Sequence, residues 1–354
     1  MLTRKTKRRL ILLTILLLII ISILTIYFFP STQTKQTATG IAQLKRMFTE
    51  HQESIWKVQF SPDGKFIASC SIDSTVIIRE KETGKLKFIL KHPIGVTNIA
   101  FSKDGKYLAT AAYDEKVRLW QLEDAKLIRE FSGHQGTVWA VSISPDSKLI
   151  ASGGEDKCLR LWNIETGTLL KTITAHDRNI WSVKFSPDGS LLASSSFDND
   201  VKLWNVSTGT LKHILAGHTE AVVEVSFSKD GKLLASAADD ATCRLWSVQD
   251  GTLLKTLSGG NEHLHTVAFS PDNKTLVVGG SDKPMFGEFL QHIFGDSHKN
   301  KGVSMRLWEI ETGRILQTFS QHANDVNGVD FSDDGQWIAS GSSDKTVCLW
   351  QIKK

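Results

Sequence analysis

The residues most suggestive of chemistry are histidine, serine and aspartate side chains that recur together along the chain. One such set is His134, Ser152 and Asp156, and Trp162 follows its aspartate by six residues. Two more sets have the same spacing, namely His176, Ser194, Asp198 and Trp204, and His218, Ser236, Asp240 and Trp246. A serine activated by a histidine that an aspartate orients is the machinery of a hydrolase.

The number of these sets argues against hydrolysis. A hydrolase needs one activated serine, whereas a histidine precedes an aspartate by 22 residues six times in this chain. The six pairs are His51/Asp73, His92/Asp114, His134/Asp156, His176/Asp198, His218/Asp240 and His322/Asp344. Because a fully hydrogen-bonded polar network rigidifies a fold, we interpret the sets as structural.

The elements that must position these sets are seven copies of one unit. Motifs of the type FSPDG recur with their first residues at Phe60, Phe101, Ile143, Phe185, Phe227, Phe269 and Phe331. The intervals between them are 41, 42, 42, 42, 42 and 62 residues. Short apolar and β-branched runs around each SPDG predict strands joined by type I turns. A period in the low forties with such signals predicts a β-propeller with one four-stranded sheet per repeat.

The spacing of GH, Asp and Leu-Trp in each unit resembles that of the WD-repeat (β-transducin-like) family, over nearly all of residues 41–354. The resemblance implies an all-β, seven-bladed propeller of four-stranded blades. It also implies that each set is a hydrogen-bond chain from histidine to serine or threonine to tryptophan, with the aspartate fixing the histidine. Family members are expected to be non-catalytic and to bind partners on the face that carries the GH loops.

The last unit ends at Lys354, directly after its third strand. Residues 41–48 match the fourth-strand segments that precede GH elsewhere in the chain. Since an unpaired strand edge promotes aggregation, we expect residues 41–48 to complete the seventh blade and close the ring.

The first forty residues predict a membrane anchor. Residues 1–9 carry five basic side chains, residues 10–29 contain no charge, and residues 30–40 have the composition of a linker. Twenty apolar residues match a bilayer core, and the positive-inside rule predicts a cytoplasmic N-terminus with an extracytoplasmic propeller. A cleaved signal peptide is the alternative, but its apolar region is usually shorter and ends at a small-residue site. A propeller on the cytoplasmic face is the alternative topology.

Composition excludes other classes of function. The net charge is +4, and residues 1–40 hold six basic residues and no acid, so residues 41–354 carry −2. This lacks the basic footprint of a nucleic-acid-binding protein. The four cysteines, Cys70, Cys158, Cys243 and Cys348, have no zinc-site spacing, and no phosphate loop, G-x-S-x-G or HExxH motif is present. We therefore expect no cofactor, no metal and no catalytic residue.

Partner binding is predicted at two positions per repeat that vary, the residue five after the histidine and the residue before the aspartate. Both are expected on the GH-loop face. Six apolar or aromatic residues at these positions come from blades 1–4 and are Trp56, Ile72, Tyr113, Trp139, Trp181 and Phe197. Clustered exposed aromatic residues are typical of binding hot spots. The alternative is that the tryptophans lie against the next blade as core.

Blade 6 departs from the repeat, with Gly260 in the histidine position, Val278 in the serine position and an insertion at 284–303. The insertion has an apolar stripe of helical spacing that includes Phe286 and Phe289. We expect it, with His263 and His265, to contribute to a protein- or peptide-binding surface. The alternatives are a hydrolytic or metal-dependent site at blade 6, and a purely structural spacer.

Overall fold

The computed structural model describes residues 40–259, 263–281 and 304–353. In these ranges the chain forms 28 strands arranged as seven four-stranded sheets. Neighbouring strands are antiparallel, both in the hairpins within each blade and in the pairing of the first strand of the chain with the last. The prediction of an all-β, seven-bladed propeller of four-stranded blades is confirmed.

The strands follow one another in chain order within six of the blades. Blade 1 contains β2 (Ile55–Phe60), β3 (Phe66–Ser71), β4 (Thr75–Glu80) and β5 (Leu86–Lys91). Blade 2 contains β6 (Val96–Phe101), β7 (Tyr107–Ala112), β8 (Lys116–Gln121) and β9 (Lys126–Ser132). Blade 3 contains β10 (Val138–Ile143), β11 (Leu149–Gly154), β12 (Cys158–Asn163) and β13 (Leu169–Thr174). Blade 4 contains β14 (Ile180–Phe185), β15 (Leu191–Ser196), β16 (Val201–Asn205) and β17 (Leu211–Leu215).

The remaining blades complete the ring. Blade 5 contains β18 (Val222–Phe227), β19 (Leu233–Ala238), β20 (Thr242–Ser247) and β21 (Leu253–Ser258). Blade 6 contains β22 (His263–Phe269), β23 (Thr275–Ser281), β24 (Met305–Glu309) and β25 (Ile315–Phe319). Blade 7 contains β26 (Val326–Phe331), β27 (Trp337–Ser342), β28 (Val347–Ile352) and β1 (Ala42–Phe48).

The first strand of each blade is the innermost, because it contacts the first strands of both neighbouring blades. These seven strands surround a central channel. Successive blades pack through apolar clusters in which side chains from adjacent sheets interdigitate, and Trp246 is the largest side chain that is almost fully buried. The outermost strands consist mainly of exposed and partly buried residues, as expected for a sheet edge that faces water.

The turn between the first and second strand lies at one mouth of the channel. In blade 1 the Gly64 amide donates to the Ser61 carbonyl at 2.8 Å, and Gly64 has a φ of +68°. This is the backbone bond of a β-turn whose last residue is left-handed, a conformation that favours glycine. Asp63 accepts a hydrogen bond from the Ser61 hydroxyl at 2.6 Å, which holds the turn closed.

Three of these turns lack the proline that the other four carry. The charged residues at that position in the three turns form ion pairs across the same mouth. The Asp333 carboxylate of blade 7 receives Lys103 of blade 2 at 3.0 Å and Lys229 of blade 5 at 2.9 Å. All three side chains are about half exposed. The pairs span the ring, but their exposure limits each to roughly 1 kcal/mol or less.

The middle of the channel holds a second, buried set of charges. Lys57 of blade 1 pairs with Glu224 of blade 5, and Lys184 of blade 4 lies 3.8 Å from the same carboxylate. Thr266 donates to Glu224 at 2.5 Å. Burial alone raises the pKa of Glu224, but the ammonium groups of Lys57 and Lys184 hold that pKa below its usual value.

Within residues 40–259, 263–281 and 304–353, no helix has the length and apolar character needed to cross a membrane. The predicted anchor at 10–29 and the predicted insertion at 284–303 lie outside the described residues.

Candidate partner-binding site at the channel mouth

A β-bulge near the start of the innermost strand of every blade decides which side chains face one mouth of the channel. This mouth is at the opposite end of these strands from the turns described above, and from here on we call it the channel mouth. In blade 1 the register with the neighbouring strand shifts between Ile55 and Lys57, so Trp56 has no partner in the ladder. A bulge of this kind re-aims one side chain while the rest of the strand keeps its alternation. The seven bulge residues are Trp56, Thr97, Trp139, Trp181, Val223, His265 and Asn327.

The three tryptophans at bulges contact one another across the channel mouth. The rings of Trp139 and Trp181 have centroids 4.5 Å apart, and Trp56 lies 5.9 Å and 6.2 Å from them. Tyr113 contacts Trp139 at 5.4 Å, and Phe197 contacts Trp181 at 5.2 Å. All five rings are partly buried. They therefore form one aromatic cluster from blades 1–4, which we call the aromatic half of the mouth.

The aromatic half borders a cavity of about 240 Å³ that is lined by all seven bulge residues. Lys57 and Glu224 also line the cavity, so the buried ion pair of the channel belongs to its wall. Carboxylates of Asp239 and Asp325 line it from blades 5 and 7. We call this opposite side the acidic half.

Buried polar atoms without a partner are concentrated here. In the described part of the chain eight buried side-chain nitrogen or oxygen atoms lack a hydrogen bond, and four of them belong to cavity-lining residues. These four are the indole nitrogens of Trp56, Trp139 and Trp181 and the amide oxygen of Asn98. Because buried polar groups are nearly always satisfied in folded proteins, this concentration makes the channel mouth the candidate binding site.

The other predicted site residues are distributed as follows. His265 lines the cavity, and its ring contacts the Asn327 amide at 3.2 Å. His263 lies beside the acidic half, where its Nδ1 donates to the Asp239 carbonyl at 3.1 Å. Ile72 is 38% exposed and does not line the cavity. Phe286 and Phe289 lie outside the described residues.

Three cavity residues are not predicted as site residues from the sequence. Lys57, Glu224 and Asp325 each look like ordinary charged residues of a strand or loop. One signal is available for the first two, because most blades have a small or neutral residue directly after the bulge. Their pairing depends on the distance across the ring, which no local pattern contains.

The histidine–serine–aspartate sets have the hydrogen-bond directions of a catalytic triad. In blade 3, His134 Nδ1 donates to Asp156 at 3.0 Å, and its Nε2 accepts from Ser152 at 2.7 Å. The Ser152 oxygen in turn accepts from the Trp162 indole at 2.9 Å. Ser152 is 0% exposed, so its hydroxyl cannot reach a substrate. The same chain of bonds recurs in blades 4, 5 and 7.

In blades 1, 3, 4, 5 and 7 the aspartate of the set also ties two loops together. The Asp73 carboxylate accepts from the Gln52 amide at 2.9 Å and from the Thr75 amide at 3.0 Å, in addition to the His51 ring. Burial opposes the charge of Asp73, but these bonds hold its pKa far below its usual value. The residue after the aspartate, Ser74, has a φ of +68°, and the two amide bonds stabilise that left-handed turn.

Blade 2 departs from the expected network. Asp114 is engaged by the Arg118 guanidinium, with Nη1 at 3.1 Å, and not by His92. The His92 Nδ1 instead contacts the Leu90 carbonyl at 3.3 Å. Burial and the nearby Arg118 charge lower the pKa of His92 to about 4. The arginine competes for the carboxylate because a guanidinium forms two parallel charge-assisted bonds, which a neutral imidazole cannot.

The cysteines are not arranged as a metal site or as disulfides. All four are free thiols, and Cys70, Cys243 and Cys348 are buried in the apolar clusters between blades. Burial raises the pKa of each of these three thiols to about 12. Residues 40–259, 263–281 and 304–353 contain no group of three histidine, cysteine, aspartate or glutamate side chains that could hold a metal ion.

Comparison with known proteins agrees with this architecture. The profile of the family described as "WD domain, G-beta repeat" matches seven segments, which together cover most of the chain. They are residues 42–79, 84–121, 125–163, 167–205, 209–247, 251–283 and 313–351.

Individual curated proteins are similar over single repeats. "Periodic tryptophan protein 2 homolog" from Schizosaccharomyces pombe is 41% identical over 46 residues, which are 13% of this chain and 5% of that protein. "Lissencephaly-1 homolog 1" from Paramecium tetraurelia is 38% identical over 55 residues, 16% of this chain and 14% of that protein. "Target of rapamycin complex subunit wat1" from S. pombe is 39% identical over 51 residues, 14% of this chain and 16% of that protein. The chain thus matches less than a fifth of the length of each of these relatives.

Proposed function

This chain belongs to the WD domain, G-beta repeat family, and from that premise we propose that it is a non-catalytic scaffold that binds a protein or peptide at the aromatic and acidic mouth of its channel. Members of the family typically bind protein partners, and the name of one relative, "Target of rapamycin complex subunit wat1", describes a subunit of a complex. The observation that carries the proposal is the tryptophan cluster around an open cavity, with three indole donors left unpartnered.

The cluster has the properties of a binding hot spot. Its tryptophans come from blades 1, 3 and 4 and are held in place by bulges in three different strands. Partly buried aromatic side chains on a rigid support offer contact area at little cost in conformational entropy. The cavity between them allows a partner's side chain to be fully desolvated, which is where interface energy concentrates.

We expect Trp139→Ala and Trp181→Ala each to weaken partner capture by at least about 2 kcal/mol, roughly thirtyfold in affinity. The matched control is Trp204→Ala, which removes a buried indole that donates to Ser194 at 3.0 Å and should mainly lower the melting temperature. Binding is measured by photo-crosslinking from position 223, a bulge residue that lines the cavity, in native membranes, followed by identification of the captured protein. If Trp139→Ala and Trp181→Ala melt early and capture the partner normally, the tryptophans are core and the site is elsewhere.

The insertion at 284–303 belongs to the same proposal. It lies in the segment between β23, which ends at Ser281, and β24, which begins at Met305. We propose that Phe286 and Phe289, with His263, extend the binding surface. Excision of residues 284–303 should then reduce crosslinking from position 223, and unchanged crosslinking would restrict the site to the cavity.

We further propose that residues 10–29 anchor the propeller to a bilayer with the N-terminus in the cytoplasm. The support is the uncharged stretch of twenty residues and the five basic residues that precede it. Protease added to sealed cells or spheroplasts should digest the propeller. Complete protection, with digestion only after lysis, would place the propeller on the cytoplasmic side instead.

A further inference from the structure

We infer that the cavity at the channel mouth takes a basic side chain, the ammonium or guanidinium group of a lysine or arginine that projects from a peptide. The inference rests on the proposed function and adds the chemical class of what enters the site. It follows from the division of the mouth into an aromatic half and an acidic half.

The charges of the cavity wall favour a cation. One lysine, Lys57, faces the cavity together with three carboxylates, those of Glu224, Asp239 and Asp325, so the formal charge of the wall is 1 − 3 = −2. Within the wall, Lys57 is engaged by Glu224, a carboxylate that Lys184, outside the cavity lining, also approaches at 3.8 Å. An anionic ligand would therefore meet the carboxylates of Asp239 and Asp325, while the one lysine of the wall already has a partner.

The two remaining carboxylates have little compensation. Among the described residues, Asp325 makes no ion pair, and the closest basic group to Asp239 is the His263 ring at 3.8 Å. Burial raises the pKa of Asp239 above its usual value, and the neighbouring histidines offset this only in part. Both carboxylates are partly buried, so their charge is incompletely solvated, and a cation entering the cavity would compensate it.

The aromatic half suits the same ligand. A cation above the face of an indole is attracted by the ring, and tryptophan is the strongest partner for this interaction. Three indoles line the cavity, and Tyr113 and Phe197 support two of them from outside. The apolar stem of a lysine or arginine side chain also packs well on such rings.

The size of the cavity indicates one side chain rather than a whole small molecule. Its volume of about 240 Å³ lies below the roughly 300 Å³ at which pockets for drug-sized ligands begin. Amide and hydroxyl groups of Thr97, Asn98, Asn327 and Ser343 complete the wall. The unpartnered amide oxygen of Asn98 is an acceptor for an N–H donor of the ligand.

The test uses a blocked pentapeptide, acetyl-Gly-Ala-Xaa-Ala-Gly-amide, titrated into the purified full-length chain by calorimetry. Xaa is arginine, lysine, citrulline, norleucine or glutamate. We expect the arginine and lysine peptides to bind at least about tenfold more tightly than the citrulline and norleucine peptides, since the charge carries the interaction. The ratio of the dissociation constants of the arginine and lysine peptides identifies which cation the cavity prefers.

Two variants of equal charge change locate the site. Asp325→Asn should weaken binding of the basic peptides roughly tenfold, since it removes a carboxylate of the acidic half. Asp177→Asn removes one negative charge beside the His176 loop, outside the cavity, and should leave binding unchanged. In a chain labelled with ¹⁵N-tryptophan, the indole resonances of Trp56, Trp139 and Trp181 should shift on titration, while those of Trp162 and Trp246 stay in place.

The inference is wrong if the citrulline or glutamate peptide binds as tightly as the arginine peptide, or if Asp325→Asn has no effect on binding of the basic peptides. It is also wrong if binding does not saturate at about 10 mM peptide, because so weak an affinity would not contribute to partner binding. The result is separable from the proposed function. If Trp139→Ala abolishes partner capture while no basic peptide binds, the scaffold function stands and the ligand class falls. If basic peptides bind in the cavity while Trp139→Ala captures the partner normally, the ligand class stands and docking at this mouth falls.

Discussion

A chain that lacks residues 41–48 is expected to melt at least about 10 °C below a chain that lacks residues 1–36. The deleted strand, β1, forms six register pairs with β28, and each backbone hydrogen bond contributes about 1 kcal/mol. A loss of roughly 5 kcal/mol corresponds to about 10 °C or more in a domain of this size. The second deletion removes no described contact and serves as the control.

The strand also bridges the two blades that flank blade 7. On one side, the Gln317 side chain of blade 6 exchanges two hydrogen bonds of 2.7 Å with the Ala42 backbone. On the other side, Arg46 donates to the Thr83 carbonyl of blade 1 at 2.6 Å, and Phe48 packs on the cluster between blades 7 and 1. The deletion therefore opens the ring as well as shortening one sheet.

Differential scanning calorimetry of the two truncated chains measures this effect. Adding a peptide of residues 41–48 should restore part of the lost stability, because an open sheet edge accepts a strand of matching sequence. Coincident transitions for the two chains would mean that β1 does not hold the ring closed.

The second large effect is expected from Glu224→Gln, which should cost about 3–5 kcal/mol of unfolding free energy. Glu224 is the carboxylate shared by Lys57 and Lys184 inside the channel. Its removal leaves the buried Lys57 ammonium group without its carboxylate and close to the partly buried Lys184. Removing one partner of a buried ion pair leaves the other charge uncompensated. Lys57→Met should cost less, since Lys184 still lies 3.8 Å from the carboxylate.

An exposed ion pair provides the control for this prediction. Lys345 and Glu53 are 3.5 Å apart, with side chains 48% and 56% exposed, and Glu53→Gln should cost at most about 1 kcal/mol. Both losses are read from urea unfolding at neutral pH. Equal losses for Glu224→Gln and Glu53→Gln would show that water reaches the channel pair and screens it.

Much of the architecture could be predicted because it is local and repeated. The spacing of FSPDG motifs reports strands and turns that each form within one blade, and seven copies reinforce the same pattern. The buried network of His134, Ser152, Asp156 and Trp162 could be interpreted as structural for the same reason. Such features need only short-range geometry, which residue spacing encodes.

The site could be predicted only in part. Trp56, Trp139 and Trp181 stand out as aromatic residues at a variable position, but their convergence depends on bulges that place each ring toward the axis. The pairing of Lys57 with Glu224 joins residues 167 positions apart, across a ring whose width no local pattern reports. Blade 2 shows a third limit, since the competition between Arg118 and His92 for one carboxylate is decided by side-chain geometry.

The closure of the ring by its first strand has a consequence for protein synthesis. β1 leaves the ribosome early, but its partner β28 begins at Val347, roughly 300 residues later. At about 5–20 residues per second, β1 waits about 15–60 s for that partner. Blades 1–6 contain their own four strands and can form in order during this time. Only the seventh blade has to assemble after nearly the whole chain has been translated. If translation stops shortly before Val347, the product contains all strands of blades 1–6, but β1 has no strand to pair with.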